Sequence, residues 1–148
     1  MTDGLFTVGV FQDVAWAERG IQALLRDGFA AETLTVLARD AGDAAALVAR
    51  TVGPAEKLEL ASLGPGVGRG PLLSALQGDD RLLTSRGVGA SIRRAGFQAH
   101  DGTIFETLIG RGGVLVAVRN ERRAADALAT LHAYGAGNAA IGAWAGRV

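Results

Sequence analysis

Val114-Leu115-Val116-Ala117-Val118, with Ala124, Leu128, Leu131 and Gly135 behind it, is the stretch on which the fold turns. An apolar run in which every second residue is valine reads as a buried strand. The residues after it keep helical spacing, with Asn120 placed to cap the helix and Gly135 to end it. The pattern also stands 107 residues earlier, where Ala17, Ile21, Leu24 and Gly28 lie at the same relative offsets of 0, 4, 7 and 11. Before them runs Phe6-Thr7-Val8-Gly9-Val10-Phe11, an alternating strand, and Asp13 occupies the N-cap position. Leu34-Thr35-Val36-Leu37-Ala38 follows the first helix, and Ala140-Ile141-Gly142-Ala143-Trp144 follows the second. Each half therefore reads as a βαβ unit.

Two such units predict an α+β, ferredoxin-like split-βαβ sandwich: a four-stranded antiparallel sheet with both helices on one face. The first unit spans 5–39 and the second 113–145, with a long helical, glycine-rich insertion at 40–112 between the second and third strands. Residues 1–148 are expected to form a single domain. Within the insertion, 43–50, 72–76 and 79–95 read as short helices and 101–111 as a longer one. Residues 58–61 suit either strand or turn, and 63–71 read as a glycine-rich loop.

Composition narrows the function classes. With no cysteine, the chain forms no disulfide and offers no thiolate nucleophile or Cys-ligated metal. Fifteen basic residues balance fifteen acidic ones, which speaks against a dedicated nucleic-acid binder. No apolar run approaches the ~20 residues that a transmembrane helix needs. The start of the chain lacks the basic and apolar regions of a secretory signal, so a cytoplasmic location is expected. The charge is uneven along the chain: residues 1–80 carry eleven acids and six bases, whereas 81–123 carry eight bases and three acids. That separation suits a self-complementary interface or a site for a small anionic ligand, and equally suits solvated helix faces.

Phe105-Glu106-Thr107-Leu108-Ile109-Gly110-Arg111-Gly112-Gly113 running into Val114–Val118, and later Ala124-Ala125-Asp126-Ala127-Leu128 up to Gly135-Ala136, resemble the bacterial heat-induced, general stress protein 17M-like domain family. The Val8-to-Phe29 stretch, a strand, an acid and a helix ending in Gly-Phe, is similar to that family's first half. The resemblance covers about residues 5–39 and 101–144. It implies a ferredoxin-like fold and a link to stress, and it brings no catalytic residues.

Residues with chemistry to offer are few. His100 beside Asp101 could act as a base or ligate a metal, and Arg119 could hold an anion; the same pair also suits a helix cap with a solvated histidine. His132 could join His100, but zinc needs three or four ligands, so no metal and no cofactor is expected. Gly64, Gly66, Gly68 and Arg69 could cradle an anion through backbone N–H groups, although the Gly-Lys-Ser/Thr end of a P-loop is missing. Arg81, Arg86, Arg93 and Arg94 could meet anionic lipid. The helix-free face of the expected sheet carries Thr7, Gly9, Phe11, Leu115, Ala117 and Arg119, with Trp144 by parity. A second subunit, the folded-back insertion or a ligand could cover it, in that order of expectation.

The sequence thus suggests a non-enzymatic, stress-associated binding or assembly module, a homo-oligomer joined through the open sheet face or the insertion. The alternative is a small-molecule sensor or small enzyme, with a pocket between sheet and insertion helices and His100, Asp101 and Arg119 as its residues.

Overall fold

The structure, a computed structural model, describes residues 4–120 and 122–144. In chain order the first elements are β1 (Gly4–Phe11), α1 (Val14–Arg26), β2 (Leu34–Arg39), α2 (Ala44–Thr51), β3 (Glu56–Leu60) and β4 (Gly64–Arg69). There follow α3 (Pro71–Gln77), α4 (Leu82–Ser85), α5 (Val88–Arg94), α6 (Ala99–Gly110), β5 (Val114–Arg119), α7 (Ala124–Ala133) and β6 (Ala140–Trp144). The Asp13 carboxylate accepts the Trp16 N–H at 2.9 Å and caps α1. Gly28 and Gly135 turn the chain at the ends of α1 and α7 with φ of +94° and +108°.

The sheet corrects the expected ferredoxin-like architecture. It has six strands in the order β3-β4-β2-β5-β1-β6, each antiparallel to its neighbours. Seven α-helices among the described residues pack on it, on both faces, where two on one face were expected beside a helical insertion. The strands of the two βαβ units lie side by side, and a β3–β4 hairpin from the insertion extends the sheet past β2. Residues 64–69, within the stretch 63–71 read as a glycine-rich loop, are a strand. Gly66 and Gly68 answer to crowding: a Cβ on Gly68 would lie 2.7 Å from the Val36 carbonyl oxygen and 3.3 Å from Leu73 Cδ2. The neighbouring strand and helix approach too closely for any side chain there.

Both faces of the sheet are covered. On one, α1, α2 and α7 bring Ile21, Leu24, Leu47 and Leu131 onto Phe11, Val36, Val114, Val116 and Val118. On the other, Leu72, Leu76, Leu83, Ile92, Phe105 and Ile109 of the insertion pack on Val8, Val10, Leu37 and Leu115. Each fully buried Leu, Ile or Phe contributes roughly 1.5–3 kcal/mol, so the insertion is a structural layer.

This overturns the expected open face, and with it the shared surface. Val8 pairs with Ala117 and Val10 with Leu115, so Leu115 and Ala117 face the same way as Val8 and Val10. Thr7 and Phe11 face the other way. The Thr7 hydroxyl donates to the Ala124 carbonyl of α7 at 3.4 Å, and the Phe11 ring lies against Gly20 of α1. Thr7, Phe11, Leu115 and Ala117 are all at most 1% exposed, which removes them as interface residues in the folded chain.

Asn138 extends the β1–β6 ladder without being in a strand. Its Nδ2 donates to the Val10 carbonyl at 2.9 Å, and its Oδ1 accepts the Val10 N–H at 2.8 Å. Asn138→Ala leaves both groups of buried Val10 without these partners. We expect a loss of about 1–3 kcal/mol, read by urea denaturation with an unchanged slope.

Candidate functional site

The residues picked for catalysis do not converge. Asp101 occupies the first turn of α6, where its carboxylate accepts the Gln98 N–H at 3.3 Å and closes a capping box. The His100 side chain is 67% exposed, with Nε2 3.6 Å from Asp101 Oδ1. Asp101 caps the helix, and His100 stands exposed beside it. Arg119 ends β5, and its guanidinium carbon stands 5.8 Å from the Phe6 ring centroid. His132 lies on α7, across the sheet from α6, so the two histidines cannot share an ion. Among the described residues no group of three or more His, Asp or Glu side chains could hold a metal ion.

The expected glycine cradle is also absent as drawn. Gly66 and Gly68 sit in β4 between β2 and β3, and Gly64 pairs with β3, so these backbones serve the sheet ladder. Arg69, at the end of that strand, has a different setting. It lines a cavity of about 590 Å³ together with Glu32, Leu34, Val52, Glu56 and Ser74. Its Nη1 donates to the Pro54 carbonyl at 3.2 Å and lies 3.5 Å from Glu56 Oε2. The sequence singled out Arg69 but not Glu32, Glu56 or Ser74. These come from a 3-10 turn (Ala31–Thr33), β3 and α3, and no local pattern links them.

Most other charges are tied into the framework. Arg94 grips Asp80 through Nη1 at 2.8 and 2.7 Å, and its Nη2 donates to the Leu76 carbonyl at 3.0 Å. The Arg94 Nη1–Asp80 hydrogen bonds hold the Asp80 carboxyl below the usual carboxylate range. Arg94 thereby joins α5 to the end of α3, which removes it from the basic group imagined for a lipid surface. Arg50 likewise binds Glu18 at 2.9 and 3.0 Å and lowers its carboxyl. Glu106 on α6 accepts the Gly89 N–H at 2.9 Å and caps α5 from outside.

The two sheet edges differ in chemistry. β3 reads Glu56-Lys57-Leu58-Glu59-Leu60, and α4 closes its end: Thr84 Oγ1 donates to the Glu59 carbonyl at 2.8 Å, and the Ala61 N–H to the Leu83 carbonyl at 3.0 Å. Charge and cover are the ordinary defences of an edge strand. β6 reads Ala140-Ile141-Gly142-Ala143-Trp144, carries no charge, and leaves Ile141 41% exposed. Trp144, the remaining residue of the expected interface, ends this strand; its side chain lies outside the described residues.

Compared with family models, curated proteins and solved structures, the chain matches none. Among the described residues no helix is long and apolar enough to cross a membrane.

Proposed function

We propose that the protein is a non-enzymatic assembly module that self-associates by pairing β6 of one copy with β6 of another. The resemblance to general stress proteins is the ground for linking that assembly to stress. One observation carries the reading: β3 is charged and closed at its end by α4, whereas β6 is uncharged and carries exposed Ile141. An antiparallel two-fold pairing centred on Gly142 would place Ile141 of one copy opposite Ala143 of the other and continue the sheet across the junction. Five residues of strand make a small interface, so the dimer should be weak and concentration-dependent.

Sedimentation velocity over a dilution series tests this. The parent protein should shift from monomer to dimer as concentration rises. Ile141→Lys places a cation on the edge and should weaken association about tenfold or more at unchanged folding stability. A parent that stays monomeric to millimolar concentration sinks the proposal, and so does a lysine variant that associates like the parent.

A further inference from the structure

We infer that the cavity at Arg69 is a binding site for a small aliphatic zwitterion, a molecule carrying one ammonium and one carboxylate as an amino acid does. The inference is independent of assembly at β6, because the cavity lies by β3 and β4 and four strands separate β3 from β6. Its volume of about 590 Å³ falls within the usual span of ligand sites.

The lining has two kinds of surface. Ala31, Val52 and Pro71 supply the apolar surface, while Glu32, Glu56, Arg69 and Ser74 supply polar groups. The guanidinium is positioned in advance, since Nη1 is engaged by the Pro54 carbonyl and by Glu56. Among the described residues Arg69 Nη2 has no hydrogen-bond partner, which leaves an N–H face for a carboxylate. Glu32 stands in no ion pair among the described residues, and Glu56 reaches only Arg69. Two carboxylates against one guanidinium leave the lining one charge negative, which favours an ammonium beside the bound carboxylate. A pure anion would meet repulsion from both glutamates. A pure cation would leave Arg69 Nη2 without an acceptor.

Amide NMR titrations with L-leucine, 4-methylpentanoate and isoamylamine test this, because the last two are leucine without its amine and without its carboxylate. Leucine should give saturable shifts at the Gly70 and Ser74 amides and bind at least tenfold more tightly than either analogue. Arg69→Gln should abolish the preference for leucine over isoamylamine. Glu32→Gln, an exposed change outside the strands, should reduce the preference for leucine over 4-methylpentanoate while leaving the amide spectrum of the free protein intact. The proposal is overturned if leucine produces no saturable shifts, if all three compounds bind alike, or if both variants keep the parent's preferences.

Discussion

Gly70→Ala is expected to be severely destabilising, removing a large part of the stability of the whole fold. Gly70 joins β4 to α3 with φ of +131°, a region that residues with a side chain rarely enter. A Cβ there would collide with the Leu34 carbonyl oxygen and Thr35 Oγ1 and lie 2.5 Å from Thr35 Cα. None of these atoms is free to retreat. Leu34 and Thr35 belong to β2, which is hydrogen-bonded to β5 on one side and β4 on the other. Thr35 Oγ1 also accepts the buried Leu72 N–H at 2.9 Å, and displacing it would leave that donor alone at a cost of about 1–3 kcal/mol. Backbone strain and the moved strand add to this, so the total should exceed ~4 kcal/mol, a large part of the ~5–15 kcal/mol that holds a domain together. Gly112→Ala separates strain from collision: φ there is +96°, yet nothing lies within 4 Å of the added carbon. That variant should lose only about 1–2 kcal/mol. Circular-dichroism melts of both variants check the contrast, and a Gly70 variant as stable as the Gly112 variant would contradict it.

The position of Gly70 also shows why part of the fold could be read from sequence and part could not. Local signals in the repeated units were legible. Asp13 caps α1 as its place before the helical spacing implied, and β5 follows from its valines. β4 was illegible because its glycines carry no hydrophobic period; what fixes Gly68 is the closeness of Val36 and Leu37, some thirty residues earlier in the chain. The face assignment failed for another reason. Alternation distinguishes two faces only when one is wet, and here Thr7 and Phe11 are as buried as Phe6 and Val8. The unbroken run Val114–Val118 held that information, since a strand buried on both faces loses its polar alternate positions. Arg69 could be singled out as a charge beside glycines. Its cavity could not, because Glu32, Glu56 and Ser74 reach it from three separate elements.

Phe105→Ala should destabilise the whole protein by about 3–5 kcal/mol, although the residue lies in the segment that sequence presents as an insertion. Phe105 is fully buried on α6, and its ring meets Phe97 edge-on at a centroid distance of 6.4 Å and an interplanar angle of 71°. Phe97 in turn lies over Gly142 of β6, so close that no Cβ would fit between them. The truncation opens a void beneath the helices and removes an aromatic pair worth about 0.5–1.5 kcal/mol. A glycine-rich insert attached to an independent sandwich would confine the damage to itself. Here Phe105 belongs to the same packed cluster as Phe6, Val8 and Val10 of β1, which is hydrogen-bonded to β5, so its loss should propagate along that ladder to Val116, whose side chain packs in the opposite layer. Hydrogen exchange distinguishes the two cases. If the insertion is a full layer of one cooperative core, protection at the Val116 amide falls together with protection at Leu76, and urea unfolding stays a single transition. If Val116 keeps the parent's protection while Leu76 loses it, the insertion is a separable unit and the sheet does not depend on it.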